Sequence, residues 1–221
     1  MKRLAVIATI VLTIGAILVD TARTAPKPSE VSNAWQLDID YKAPQPIMIQ
    51  VPGEAKPRLF WFMQYTVTNH TGQDQIFVPE FTLFTDTAQV IKAGQRVPAG
   101  VFDKIKSLYN NPLLNDVSTI TGKILQGDDN AKDGVAIWSD FDPKATSFDV
   151  FVGGLSGETA QITLPQPMEV TEVDSDGKKV TKTVEKVVLS KTLDLSYTVN
   201  GDPDNRAKNK AGLTAKNWVM R

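Results

Sequence analysis

A single histidine and no cysteine among 221 residues set the limits on the chemistry this chain can perform. Without a thiol there is no disulfide, thiolate metal site, iron–sulfur cluster or cysteine nucleophile. One histidine cannot build a multi-histidine zinc centre, and a serine triad would have to use His70 as its base. His70 lies in Asn69-His70-Thr71-Gly72, a turn sequence that also fits the N-glycosylation acceptor pattern. The sequence names no partner for its ring, so a solvated turn is expected. Ser156, in Gly153-Gly154-Leu155-Ser156-Gly157, lacks the glycine two residues on that a nucleophile elbow needs, because position 158 is Glu158.

Oxygen ligands are the remaining candidates. Gly127 to Gly134 holds Asp128, Asp129 and Asp133, the densest acidic loop. Numbering back from Gly134 as position 6 of an EF-hand puts Ala131 at position 3, where no side chain can ligate, and Asp140 at position 12. These three aspartates are weak cation candidates, and a polar loop is the expectation. Asp174-Ser175-Asp176-Gly177 reads as a hairpin tip first and a cation site second. Phe60, Trp61 and Phe62 could stack on a sugar, although adjacent aromatics on one strand are core residues first. A carboxylate hydrolase would need two acidic groups facing each other across a cleft. No catalytic residue, resident metal or cofactor is nominated.

The elements that would position these groups are mostly strands. Trp35, Leu37, Ile39 and Tyr41 alternate with polar residues, and Ile47, Ile49 and Val51 repeat the spacing. Leu59 to Met63 is apolar on both faces and predicts a central strand covered on both sides at one end. Gln75 to Thr85, Val135 to Trp138, Phe148 to Val152 and Gln161 to Leu164 continue the pattern. Met168 to Val173 and Val180 to Val184 flank the tip at 174–177. Val187, Leu189, Leu193, Leu195, Tyr197 and Val199 then share a face, with Lys191 in phase, which predicts a break or bulge there. Only 98–126 favours helix: Pro98 suits a first turn, Val101, Ile105 and Leu108 are helically spaced, and Asn110-Asn111-Pro112 stops the run. A second short helix is expected within 113–126. That apolar segment should pack across a sheet or edge and offer a partner-binding surface. Residues 201–221 read as an extended or frayed tail whose Trp218-Val219-Met220 docks back.

Eight to ten short strands with one helical excursion predict an antiparallel β-sandwich over 35–200, preceded by a linker at 26–34. Lys2 and Arg3, then the uncharged run Leu4 to Val19, then Ala22 and Ala25, predict a secretory signal peptide or a retained signal anchor over 1–25. Asp20 and Arg23 occupy the positions where a cleavage site prefers small residues. As a helix the apolar run spans ~24 Å, short of a ~30 Å hydrocarbon core. The basic start places the rest outside the cytoplasmic membrane, in the periplasm or on its outer face. The formal charge is −1 overall and −3 without the first 25 residues, which gives no footprint for nucleic acid.

One stretch resembles a known group. Val67, Asn69, Thr71 and Gly72 match the "Val-x-Asn-x-Thr-Gly" turn of immunoglobulin-like domains in exported bacterial proteins. Phe81, Leu83 and Val90 match the strand that follows, with Phe84, Thr85 and Ala88 standing for its usual Tyr, Asp and Gly. The similarity covers about residues 59–90. It implies an immunoglobulin-like sandwich and export, and no catalytic residues. The function expected is therefore a non-enzymatic exported domain acting through protein or cell-envelope contacts, touching the membrane only through an uncleaved N-terminal segment. A cation- or glycan-binding module is the alternative, and an Asp/Glu-dependent hydrolase the third reading.

Overall fold

The computed structural model describes residues 26–173, 177–199, 203–208 and 210–221; residues 1–25, expected to be a signal peptide or anchor, and the expected hairpin-tip residues 174–176 lie outside them. The first strands are β1 (Asp38–Tyr41), β2 (Gln45–Ile49), β3 (Arg58–Thr68), β4 (Gln75–Phe77), β5 (Glu80–Thr85) and β6 (Val90–Lys92). Helix α1 (Ala99–Tyr109), β7 (Asn115–Asp116), the single turn α2 (Val117–Ile120) and β8 (Gly122–Ile124) fill the helical excursion. A 3-10 turn at Asp128–Asn130 leads into β9 (Lys132–Ser139), β10 (Ser147–Gly153), β11 (Thr159–Val173) and β12 (Lys179–Thr198). A short turn α3 (Pro203–Arg206) and β13 (Gly212–Met220) complete the described chain.

The protein is mainly β, in two larger sheets whose pairings are antiparallel except for β7 with β9. In the first, β3 is central: β9 flanks it on one side, and β1 and β2 share the other. In the second, the order runs β11-β12-β10-β5-β6, and β13 also pairs with β12. Alternating residues of both sheets meet in one core: Trp61, Met63 and Tyr65 from β3, Phe81 and Leu83 from β5, Phe148 and Val150 from β10, and Leu193, Leu195 and Tyr197 from β12. This is the arrangement expected of a β-sandwich. The both-faces run at 59–63 has a direct cause. Trp61 and Met63 point into this core, while Phe60 and Phe62 face the other way, into a second cluster with Val101 and Ile105 of α1. The aromatic triplet is therefore core on both sides and offers no sugar platform.

The helical excursion packs across the outer face of the first sheet, as expected. Pro98 caps α1 from outside instead of opening it, and Asn110 ends it in the left-handed conformation. Leu108 is not part of the buried stripe; it is 64% exposed, and Val101 and Ile105 carry the packing. Beyond Leu113 the chain makes one helical turn between two short strands, β7 and β8, and Ile120 and Ile124 enter the main core. The excursion is thus built into both hydrophobic clusters.

Three expectations are corrected. The C-terminal segment is extended and Trp218 docks on the core, as expected, but it is no tail apart from the sandwich: Gly212–Met220 pairs along β12 from Thr198 to Lys191. An edge strand with one neighbour needs only half an apolar face, so its pattern is weak. The segment 26–34 is no free linker, because the main chain of Ser29 is bonded at both its N–H and C=O to buried side chains. Lys191 breaks nothing: β12 runs through it without interruption, and a carboxylate waits for its ammonium.

Candidate functional site

The acidic loop does not gather its carboxylates. Asp133 accepts from Thr66 Oγ1 at 2.7 Å and Asn111 Nδ2 at 2.8 Å, Asp128 turns to His70, and Asp129 is exposed. Among the described residues no group of three or more His, Asp or Glu is placed to hold a metal ion. Serine 156 is buried in a turn, donating to the Trp35 carbonyl at 3.2 Å and accepting from the Glu158 N–H. Gly154 before it has φ +82° and faces the Val78 carbonyl where a Cβ would project, so only glycine closes that turn.

His70 has partners that its own neighbourhood in sequence did not reveal. Nδ1 stands 2.7 Å from Asp38 Oδ2 and Nε2 3.0 Å from Asp128 Oδ1. The turn is preorganised by buried Asn69. Its amide donates to the carbonyls of Gln73 and Ile124, and its carbonyl accepts from Thr71 N and Oγ1. This is the residue around which the resembled turn motif is built. Carboxylate oxygens flank both ring nitrogens, so for these oxygens to accept both bonds both nitrogens must carry protons. These bonds, first to Asp38 and then to Asp128, raise the His70 pKa from its ordinary 6.5. The clasp therefore stabilises the fold fully below about 6.5, and that contribution is lost as pH rises through the higher folded pKa. With one histidine in the chain, its proton titration by NMR is unambiguous. We expect a midpoint above that of His70 in an unfolded peptide, shifting down in Asp38→Asn. A midpoint at or below the peptide value would refute the clasp.

Two carboxylates stand together elsewhere. Asp149 on β10 and Asp194 on β12 are diagonal neighbours on the outward face of the second sheet. Burial, and then the nearby Asp149 charge, raises the Asp194 pKa. They lie side by side on adjacent strands, not across a cleft. Close by, the Arg221 guanidinium stacks 4.2 Å from the Phe151 ring centroid.

The largest exposed feature is the hairpin of β11 and β12. The two strands have 15 and 20 residues, and past Ser190 the ladder leaves the sandwich and runs on as a two-stranded ribbon. Among its described side chains from Gln161 to Ser190, none is buried. Pro165 and Pro167 lie in a bulge where the register slips between Thr163 and Met168, as residues without a ladder N–H require. One face of the ribbon carries Met168, Val170, Val180, Val184 and Val188 with Lys182 and Lys186 between; Met168 is 52% and Val188 59% exposed. The sequence showed a hairpin here. Nothing in it showed that the hairpin would stand clear of the body.

At the base of the ribbon a buried ion pair holds the N-terminal segment. Lys191 is 3% exposed and Glu158 6% exposed, with Nζ and Oε2 3.1 Å apart. Ser29 N–H donates to Glu158 Oε1 at 2.7 Å, and Lys191 Nζ donates to the Ser29 carbonyl at 3.2 Å. The indole of Trp218 lies 5.4 Å from the ammonium. Beside this latch a groove of about 890 Å³ runs between Pro26–Ser32 and the end of β13. Among the described residues no helix is long and apolar enough to cross a membrane. No family model, no curated protein and no solved structure matches this chain.

Proposed function

We propose that this is an exported domain of immunoglobulin-like sandwich type that works outside the cytoplasmic membrane by holding a protein partner of the cell envelope, and that the β11–β12 ribbon is its contact element. The observation that carries the reading is the ribbon itself. An isolated two-stranded hairpin is marginal in water, and this one keeps valines and a methionine wet over its whole projecting length. Export rests on the basic start and the apolar run from Leu4 to Val19. In the helical excursion, first expected to supply the partner surface, Val101, Ile105, Leu114, Ile120 and Ile124 are committed to the two cores, while Leu108, Leu113 and Leu125 stay exposed. The contact role is assigned to the ribbon, because none of its described side chains from Gln161 to Ser190 is buried.

Thr163 and Lys186 are ladder partners, so replacing 164–185 with Asn-Gly closes the hairpin at its base. The shortened protein should melt within a few degrees of the parent. In intact cells, a photo-crosslinking residue in place of Met168 or Val188 should give one discrete adduct with an envelope protein. A chain that carries the same residue at exposed Ser118 should give none. Absence of adducts from both ribbon positions, or recovery of the full-length chain as soluble cytosolic protein, would remove this reading.

A further inference from the structure

Strand β13 leaves a nine-residue open edge on the body of the second sheet. The other margins of the two larger sheets are broken or blunt: β11 is interrupted by the bulge that holds Pro165 and Pro167, β6 has three residues, β7 has two, and β1 and β2 are separate short strands interrupted around Pro44. β13 has nine residues and no proline. Its hydrogen-bonding parity is fixed by Arg221 and Ser190, which exchange both main-chain bonds at 2.7 and 3.1 Å. Counting back by twos, Val219, Asn217 and Ala215 also face β12, so the N–H and C=O groups of Met220, Trp218 and Lys216 point away from the sheet. No described main-chain group pairs with them. Three such donor–acceptor pairs in a row form a template for another extended backbone.

We infer that this occupant is β13 of a second copy of the chain, paired antiparallel about a two-fold axis at Asn217. The edge is complementary to itself in that register. Lys216 falls opposite Trp218 of the other copy, Thr214 opposite Met220 and Ala215 opposite Val219, and no like charges meet. An axis at Lys216 would instead set lysine against lysine. The Lys216–Trp218 pairing places an ammonium by an indole twice in the interface. The groove along this edge is walled by Trp218 and Met220 on one side and by Pro26, Pro28 and Glu30 on the other. The incoming Lys216 enters it beside Trp218 and Glu30. The pairing joins the two second sheets into one continuous sheet and is independent of export and of the ribbon.

The chain has no cysteine, so one introduced thiol reports the contact cleanly. At the axis, Asn217 meets Asn217 in a non-hydrogen-bonded pair, with Cα atoms about 4.5 Å apart, within disulfide reach. Purified full-length Asn217→Cys, oxidised in mild detergent, should run as a disulfide dimer on non-reducing gels, while a cysteine at exposed Ser118 should stay monomeric. Lys216→Pro removes an outward N–H without touching the β12–β13 ladder, so it should keep the melting temperature within a few degrees. In the doubly substituted Lys216→Pro/Asn217→Cys chain the dimer should fall at least tenfold. A monomeric Asn217→Cys protein overturns the inference, and so does a dimer that persists when Lys216 is proline in a folded chain.

Discussion

Replacing Trp61 with alanine should cost about 3–5 kcal/mol and lower the melting temperature by roughly 10 °C. Trp61 is fully buried at the point where most parts of the fold converge. Its ring stands 5.3 Å from Phe141 and 6.0 Å from Phe148, which brings β3 against the β9–β10 connection and against β10 of the opposite sheet. The indole N–H donates to Asp140 Oδ1 at 3.0 Å. Asp140 in turn holds Arg206 at 3.4 Å, and that guanidinium lies 4.1 Å over the Phe141 ring, fixing the link between β12 and β13. Truncation therefore opens a cavity between the sheets and strips Asp140 of a donor at the same time. Phe84, 38% exposed on the outward face of β5, is the control: its alanine variant should stay within about 1 kcal/mol. Thermal melts check both. A Trp61→Ala protein melting within 2 °C of the parent would contradict the shared core.

How far this arrangement was legible depends on the range of the contacts involved. Period-2 alternation marked the strands of both sheets, because each buries one face. The apolar triplet at 60–62 marked β3, because that strand, like β9 beside it, lies between two hydrophobic clusters. Pro98 and Asn110 bounded the helix through local backbone preference. Contacts between distant residues left no such trace. The partners of His70 lie 32 and 58 residues away, and Glu158 is 33 residues from Lys191. A lysine in phase with an apolar face predicts a defect when read alone; matched by a buried carboxylate, it is part of the strand. The resembled turn shows both sides of this. Asn69 anchors it as the motif suggests. Ala88, standing where that group has glycine, nevertheless takes φ +62° and lets Thr85 accept from Gln89 N–H.

The latch at Ser29 carries the second large effect. Lys191→Met keeps the volume of the side chain and removes its charge, which strands the Glu158 carboxylate beneath the N-terminal segment. We expect the melting temperature to fall by on the order of 10 °C. Adding Glu158→Leu should restore most of that loss, since two packed apolar side chains replace a buried pair at little cost, whereas either single change leaves a charge without its partner. The pH dependence has a definite sign. The Ser29 N–H hydrogen bond, with help from Lys191, holds the Glu158 carboxyl below its ordinary 4.5. Its contribution is therefore present above about 4.5 and disappears as pH falls through the lower folded value. The His70 clasp behaves in the opposite way, so stability should be greatest between the two windows; the acid limb should shrink in the double variant, with Asp86 and Asp116 still held below their ordinary values by their hydrogen bonds, while the alkaline limb remains. Deleting 26–33 should reproduce part of the Lys191→Met effect, because Ser29 supplies a donor to Glu158 and an acceptor to Lys191. If Lys191→Met melts with the parent, Ser29 is not held by this pair, and the segment that joins the N-terminal apolar run to the sandwich is free to swing.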